Sequence, residues 1–332
     1  MTGPVVSVTR VGDSVADAVA EAMELAGVLD ALEPGTDVAL KPNLGFDLYV
    51  PGAVTSPAVV EGVIRAIRER AGSIAIVESD QVLVDIEKAF RRTGMEPLLQ
   101  RYGVEFVNMS KGRFVDVPVP DPHHVPALRL PEILTQRALV TVPVMKTHNK
   151  STITCSIKNQ WGCLDVFRHN YHLVLTEVLA DIHKVLRPIF AVCDATIAME
   201  GGGPKTGRPR RVDRVLASRD IVALDSVAAR IMGFDPAEID HLRTLEADGS
   251  GSMTDVEVVG EDITGLNLHF EPATHNVVSA LEMALRTSVA RKAVFETPLL
   301  DVMCHGANLW YRAWYYLGPG KRLQDMDGGR RR

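Results

Sequence analysis

The feature that most constrains the fold is the alternation of short apolar runs with longer segments of helical period. The run at 38–44 is followed by the amphipathic segment 55–72, in which Ser56 is placed to cap a helix whose first residue is Pro57. The alternation continues with apolar runs at 73–80, 103–109, 138–148, 189–195, 212–218 and 255–260 and helical segments at 84–94, 172–188 and 221–233. This order predicts an α/β fold with a doubly wound, mainly parallel sheet and helices on both faces.

Two stretches depart from this alternation. Residues 111–131 contain five prolines, which predicts irregular surface with one short strand. Residues 266–332 contain helical patterns, an aromatic cluster at 309–318 and a basic tail. We therefore expect an α/β domain over 1–265 and a helical, aromatic-rich appendage over 266–332. On a helix through the cluster the apolar stripe comprises Leu309, Trp310, Ala313, Trp314 and Leu317, with Arg312 facing away.

An apolar stripe of this density needs a cover. Four ways of covering the stripe remain open at this point: packing on its own domain, the interface of a homodimer, a lid over a site, and contact with a membrane surface.

Composition and charge narrow the class of protein. The formal net charge of −6 argues against a nucleic-acid binder, although a few lysines suffice to hold a small anion. No apolar run reaches the roughly 18–20 residues of a membrane-spanning helix, and the first residues show no export-signal pattern. The four cysteines are dispersed and form no disulfide framework, so a reducing cytoplasm is the expected compartment.

Polar residues that directly follow the apolar runs are the candidates for a site, because ligands of open α/β sheets bind outside the carboxyl ends of the strands. Lys146 and His148 are two residues apart on one predicted strand, which directs both side chains to the same side. A lysine beside an imidazole suits anion binding or proton transfer. The candidates are Lys146, His148 and Lys158 for catalysis, Lys41, Asn43, Asn159, Gly201, Gly202 and Gly203 for substrate binding, and Asp80, Asp194, Glu200 and Asp225 as orienting or metal-binding carboxylates.

Several of these candidates have structural alternatives. The glycine-rich segment 198–211 predicts an anion-binding loop or a flexible connection, since it matches neither a dinucleotide fingerprint nor a P-loop. Asp225 lies in an almost wholly apolar helical segment, where it caps a loop, orients a lysine or pairs with an arginine. Lys146, His148 and Lys158 are solvated loop residues unless the polar segment at 149–170 folds back onto the strand ends. His169 and His172 have the spacing of two metal ligands but lack a third, so the metal is unknown.

The chain resembles the bacterial and archaeal family called domain of unknown function 362. The resemblance spans about residues 37–260 and rests on the blocks ALKPNLG, TSPAVVEGVIRAI, SIAIVESD, VPVMKTHNKSTITCSIKNQWGCL, DATIAMEGGGPKTGRP and ASRDIVALDSVAARIMG. It implies no single activity. Members are often described as iron–sulfur proteins because many carry a cysteine-rich, ferredoxin-like segment. This sequence lacks such a segment, so an iron–sulfur cluster is less expected here.

Three functions are compatible with these residues. The first is an enzyme that binds the carboxylate or phosphate of a small metabolite through its lysines, with or without a divalent metal, and performs isomerisation, elimination or cyclisation by lysine and histidine acid–base chemistry. The second is an iron–sulfur or ferredoxin-linked redox protein. The third is a binding or scaffold protein that uses the aromatic C-terminus. We expect the non-redox enzyme, with a small anionic ligand as its partner.

Overall fold

The computed structural model describes residues 3–323, without the side chains at positions 166, 167 and 169. The described strands are β1 (Val5–Arg10), β2 (Val38–Pro42), β3 (Ile74–Glu78), β4 (Glu105–Asn108), β5 (Phe114–Pro118), β6 (Ala127–Pro131), β7 (Ala138–Val142), β8 (Val144–His148), β9 (Thr152–Thr154), β10 (Phe190–Glu200), β11 (Arg208–Ser218) and β12 (Glu257–Gly260). The described α-helices are α1 (Val15–Leu25), α2 (Pro57–Ile67), α3 (Ile86–Arg92), α4 (Glu96–Tyr102), α5 (Ile133–Gln136), α6 (Ser156–Asn159), α7 (Leu175–Leu186), α8 (Ile221–Met232), α9 (Asp240–Ala247), α10 (Val277–Arg286), α11 (Arg291–Phe295), α12 (Leu299–Leu317) and α13 (Gly320–Leu323).

Ten of the described strands form one sheet, and most of its neighbouring pairs are parallel. Along the main path the order is β12-β1-β11-β10-β7-β2-β3-β4. Strands β10, β7, β2, β3 and β4 pair in parallel, whereas β11 is antiparallel to both β1 and β10. Strand β8 pairs with β10 and with the short β9. The carboxyl ends of β2, β3 and β8 therefore lie at one edge of the sheet, where ligands of such folds bind.

Helices cover both faces of the sheet. One apolar cluster packs helices α1, α2, α3 and α4 against one face of the sheet, and a second packs α7, α8 and α9 against the other face. Strands β2 and β3 are buried at every position, as expected of strands covered on both sides. Helix α2 begins at Pro57, and the Ser56 hydroxyl accepts a hydrogen bond from the Ala58 N–H, as predicted. The predicted α/β class and mainly parallel sheet are confirmed.

Local structure differs from the sequence prediction in several places. Helices α4 and α9 were not predicted, and three further differences involve strands. Strand β1 and helix α1 were not predicted, because Ser7 and Thr9 interrupt the apolar run of β1; both side chains are nevertheless buried. The single strand predicted at 138–148 is two strands separated at Pro143, which lacks an N–H for the ladder. The segment 111–131 holds two strands rather than one, since β5 and β6 pair as an antiparallel hairpin.

The C-terminal region is helical, and the face that α12 presents to the α/β core matches the predicted stripe only in part. Trp310 and Trp314 pack against the core as predicted, but the buried residues are two tyrosines outside the stripe. Tyr311 and Tyr315 are buried, and Tyr311 meets Phe46 edge-on with 5.6 Å between ring centroids. Leu309 and Leu317, placed in the inward stripe by the sequence, are 70% and 86% exposed. The tyrosines face inward because their rings pack on the core while the Tyr315 hydroxyl donates to a backbone carbonyl there.

Within residues 3–323, every helix is too short or too polar to cross a bilayer. The basic tail at 330–332 lies outside the described residues.

Candidate active site at the strand ends

A cavity of about 560 Å³ lies where the carboxyl ends of β2, β3 and β8 meet helices α10 and α12. This volume suits an organic ligand rather than a single ion. The α/β part contributes a wall that is rich in cationic and amide side chains, namely Lys41, Asn43, Glu78, Lys146, His148, Lys150, Thr154, Lys158, Asn159, Arg168, His172 and Lys205.

Lys41 and Glu78 form a buried ion pair at the ends of two adjacent parallel strands. Lys41 lies near the end of β2 and Glu78 at the end of β3, and the distance from Nζ to Oε2 is 2.7 Å. Both side chains are almost completely buried. Because each charge compensates the other, this pair adds little net charge to the cavity.

Lys146 on β8 is buried without a carboxylate partner among the described residues. Its Nζ donates to Asn43 Oδ1 at 3.0 Å and to the Ala53 carbonyl at 2.6 Å. Burial, reinforced by the nearby charge of Lys205, lowers the pKa of Lys146 to about 7. A neutral amine has two N–H bonds and one lone pair, so these two acceptors use both N–H bonds and leave the lone pair free. Lys146 therefore has the geometry and protonation state of a general base near neutral pH.

Two further lysines of the wall contact aromatic rings instead of carboxylates. Lys158 Nζ lies 5.0 Å from the centroid of the Trp161 ring, and Lys205 Nζ lies 5.5 Å from the ring centroids of both Phe46 and Tyr311. Burial lowers the pKa of Lys158 well below its ordinary value and that of Lys205 to about 8. A ring face compensates only part of an ammonium charge. Both lysines would therefore be stabilised in the charged form by a bound anion.

His148 is held as a neutral ring that donates through Nε2. Its Nδ1 accepts a hydrogen bond from the backbone N–H of Lys150 at 3.0 Å, which places the ring proton on Nε2. Burial, followed by the charge of Lys158, lowers the pKa of His148 well below its ordinary value. This geometry favours hydrogen-bond donation to a substrate oxygen over the proton exchange expected from the sequence.

One carboxylate ties the appendage to the loop that follows β8. Glu282 on α10 accepts from Lys150 Nζ at 2.8 Å and from Arg286 Nε at 2.9 Å, and it lies 3.1 Å from His172 Nδ1. His172 also stacks on Trp161, with 5.8 Å between ring centroids. Burial lowers the pKa of His172 to about 3, so the ring is neutral at pH 7. Glu282 thus pairs with both Lys150 and Arg286 and fixes α10 over the cavity.

Amide and hydroxyl groups complete the polar wall. Asn43 Nδ2 donates to Asn159 Oδ1 at 3.2 Å, and Asn159 Nδ2 donates to Thr141 Oγ1 at 2.9 Å and to the Lys41 carbonyl at 3.1 Å. These bonds fix the side chain of Asn43, whose Oδ1 accepts the hydrogen bond from the Lys146 amine. Thr154 lines the cavity, and its buried hydroxyl has no hydrogen-bond partner within residues 3–323. Because a buried hydroxyl is normally paired, this group would gain a partner from a ligand atom that reaches it.

Asp225 supports the site from outside the cavity wall. Its two carboxylate oxygens accept from the Ser156 N–H at 2.8 Å and the Ile157 N–H at 3.0 Å, at the start of α6. Burial raises the pKa of Asp225 to about 6. Since α6 carries Lys158 and Asn159, the structure favours the loop-capping alternative for Asp225 over pairing with an arginine.

Three other predicted carboxylates lie outside the cavity wall, because their oxygens are used within the fold. Asp80 Oδ1 accepts from the Ile86 N–H at 2.9 Å, where α3 begins. Asp194 Oδ2 accepts from the Ser56 N–H at 2.7 Å, just before α2. Glu200 binds two arginines of β11 at 3.1 and 2.6 Å. Neither Asp80 nor Asp194 therefore lines the cavity beside the lysines.

The three glycines after β10 serve close packing rather than ligand binding. A Cβ on Gly203 would lie 1.9 Å from the Thr147 carbonyl, so only glycine lets this loop approach β8. Gly201 has a φ of 77°, and a Cβ on Gly202 would also collide with backbone. None of the three lines the cavity, but together they bring Lys205 to its wall.

The described donor groups do not fit a metal centre. Residues 3–323 contain no group of three or more histidine, cysteine or acidic side chains that could hold one ion. His172 lies in the cavity wall, and the side chain of His169 lies outside the described residues. Cys155 and Cys193 have their sulfurs 3.4 Å apart, but the other two thiols lie in a different apolar cluster and on α12. An iron–sulfur cluster needs more convergent thiolates than this arrangement supplies.

Several residues of the cavity wall were missed from the sequence. Lys150 follows β8 and Lys205 follows the glycine run, so the strand-end rule that found Lys146 also applies to them. Thr154 lies on β9, whose pairing with β8 was not predicted. Glu282 gives no local signal, because its position depends on how the appendage packs.

The fold and the site define a class of protein, namely a mainly parallel α/β protein with a buried, cation-rich cavity at the strand ends that C-terminal helices cover. The chain belongs to the family described as Domain of unknown function (DUF362), whose model matches residues 38–230. It is 30% identical over 236 residues to a thylakoid-associated protein of Synechocystis sp., and the match covers 68% of this chain and 72% of that protein. The resemblance inferred from the sequence is confirmed.

The chain has a weak similarity to two solved structures. The lactate racemase apoprotein from Thermoanaerobacterium thermosaccharolyticum is similar with a TM-score of 0.46 and 12% identity, covering 70% of this chain and 57% of that chain. A protein from Thermotoga maritima is similar with a TM-score of 0.36 and 11% identity, covering 63% of this chain and 56% of that chain. The chain thus spans less than two thirds of either structure, and neither likeness bears on function.

Proposed function

We propose that this protein is an enzyme that acts on an anionic organic substrate by non-redox acid–base chemistry in the strand-end cavity. The observation that carries the proposal is a group of buried lysines in the wall that no carboxylate compensates. Lys146, Lys158 and Lys205 all face the cavity, and none has a carboxylate within salt-bridge distance among the described residues. Burying an ammonium group is unfavourable unless it is paired. A bound carboxylate or phosphate supplies the missing negative charge.

The arrangement assigns different roles to its members. Lys158 and Lys205 bind the anionic group of the substrate, and the unpartnered hydroxyl of Thr154 adds a hydrogen bond. The neutral amine of Lys146 removes a proton from the substrate, and the electron pair left behind moves toward a substrate oxygen. His148 stabilises that oxygen by donating its Nε2–H.

Isomerisation, elimination and cyclisation share this first step. Return of the proton from the Lys146 ammonium to another substrate atom completes an isomerisation, whereas departure of a leaving group completes an elimination. Asn43 and Asp225 are positioning residues, because the first holds the Lys146 amine and the second holds the helix that carries Lys158.

The experiment measures exchange of substrate hydrogen with solvent. Carboxylates and phosphate esters are incubated with the protein in D₂O, and deuterium incorporation is followed by ¹H NMR. We expect incorporation by the wild type and a loss of at least about 100-fold in Lys146→Met, the range of general base catalysis. The matched control is Lys88→Met, which removes a lysine that is 51% exposed on α3. Exchange that persists in Lys146→Met would overturn the proposal, and anion binding without any exchange would indicate a binding protein.

A further inference from the structure

We infer that the substrate is an amphiphile whose anionic head meets the lysines and whose apolar tail lies against the C-terminal helices. This inference rests on the function proposed for the same cavity and adds the class of substrate. Its basis is the difference between the two walls. The α/β wall is cationic, whereas the wall formed by α10, α11 and α12 is made largely of Val278, Leu281, Phe295, Met303, Ala307 and Trp310.

The polar residues of the appendage wall are already bonded within the protein. Glu282 and Arg286 bind each other, and Glu282 also binds Lys150. Asn276 accepts from the Ser279 N–H at 2.9 Å and thereby caps α10. Water beside the remaining carbon surface would find few hydrogen-bond partners, which favours an apolar occupant.

The extent of the apolar wall exceeds what a short-chain acid would fill. Lining residues on α12 run from Leu300 to Tyr311, a span of about 16 Å at the ordinary rise of a helix. The volume of about 560 Å³ lies in the range of sites that enclose ligands much larger than an anionic group. A ligand that contacts both walls therefore has a head and a substantial tail.

The mouth of the cavity also has apolar character. Val277 and Leu281 line the cavity from α10, yet they are 69% and 52% exposed. Exposed apolar side chains at the rim of a site commonly mark a contact with an apolar group. Their position gives the tail a path between the cavity and solvent.

The test compares ligands that differ only in tail length. Isothermal titration calorimetry on the full chain measures the affinity for n-alkyl phosphates from butyl to dodecyl, each below its micelle concentration, and for inorganic phosphate. We expect affinity to rise about three- to fourfold per methylene until the tail fills the cavity, the factor that corresponds to about 0.8 kcal/mol per buried methylene. Dodecanol, which has the tail without the charge, should bind at least about tenfold more weakly than dodecyl phosphate.

Two variants locate the tail. Leu281→Asp should weaken dodecyl phosphate binding at least tenfold more than it weakens inorganic phosphate binding. The matched control is Leu309→Asp, because Leu309 is 70% exposed on α12 and does not line the cavity. Val277→Asp provides a second rim variant should Leu281→Asp fold poorly.

The outcomes separate the two proposals. Affinity that is independent of tail length, with Leu281→Asp equal to wild type, would overturn the amphiphile inference and leave the anion-binding enzyme in place. Equal affinity for dodecanol and dodecyl phosphate, with no binding of inorganic phosphate, would overturn the proposed function itself.

Discussion

Replacement of Lys146 by methionine should abolish turnover and yet stabilise the protein at acidic pH. Below pH 7 the folded protein must hold a charged ammonium that is 2% exposed and has no carboxylate partner among the described residues. Methionine has a similar length and no charge, so it removes that penalty without leaving a large cavity.

The size of the effect follows from the pKa of the lysine. A fall from the ordinary value of 10.5 to about 7 corresponds to about 5 kcal/mol of destabilisation while the amine is charged. The acceptors on Asn43 and Ala53 lose their partner in the variant, at about 1 kcal/mol each. The net gain in the free energy of unfolding is therefore about 3 kcal/mol at pH 6.

The sign of the effect reverses at alkaline pH. Between pH 7 and 10.5 the unfolded wild-type chain binds a proton that the folded protein does not, so wild-type stability rises with pH through this range. Near pH 10 the free-energy penalty for burying a charged Lys146 has almost vanished. The lost hydrogen bonds then make Lys146→Met less stable than wild type by about 1 kcal/mol.

Urea unfolding of wild type, Lys146→Met and the exposed control Lys88→Met at pH 6 and pH 10 measures this difference directly. The free energy of unfolding of Lys88→Met should equal that of the wild type at both pH values. A Lys146→Met protein that is destabilised equally at pH 6 and pH 10 would refute the reasoning, because it would show that the lysine is not held neutral by burial.

Three further predictions concern other parts of the site. Asp225→Ala leaves the Ser156 and Ile157 N–H groups unpaired, so the free energy of unfolding in urea should fall by about 2–4 kcal/mol; unchanged stability would contradict the capping role. Thr154→Val removes a hydroxyl that has no hydrogen-bond partner within the described part of the chain, so it should alter stability by less than about 1 kcal/mol while weakening binding of inorganic phosphate in calorimetry; wild-type affinity would contradict its role toward the ligand. Turnover should rise with pH through about 7, because Lys146 must be neutral to accept a proton; a rate that falls over this range would contradict its role as base.

The strand-end rule located the cationic part of the cavity wall from the sequence. Lys41, Lys146 and His148 each lie at or near the end of an apolar run, and parallel strands bring such ends to one edge of a sheet. The same rule also selected Asp80 and Asp194, which lie outside the cavity wall. A carboxylate at a strand end can equally bind the backbone N–H groups of the next helix, and sequence position alone does not distinguish these two uses.

Features that depend on packing between distant segments were beyond prediction. Glu282 reaches the cavity because α10 packs over the loop after β8, and nothing in its local sequence encodes that contact. Tyr311 and Tyr315 form the buried face of α12, although the helical period of the cluster favoured a stripe that includes Leu309 and Leu317. Tyrosine offers a ring for packing together with a hydroxyl for bonding, and this combination decides the orientation.

The most direct test of the account is the protonation of Lys146 itself. NMR of protein labelled at the lysine side chains, with the Lys146 signal assigned by its absence in Lys146→Met, gives the pKa of the amine with and without a bound anion. The account predicts a pKa of about 7 for Lys146 in the free protein. It also predicts that the pKa values of Lys158 and Lys205, the lysines that bind the anion, rise when inorganic phosphate or dodecyl phosphate occupies the cavity, since a nearby anion favours the charged amine. A Lys146 pKa near 10.5 in the free protein, with pKa values of Lys158 and Lys205 that neither anion changes, would contradict it.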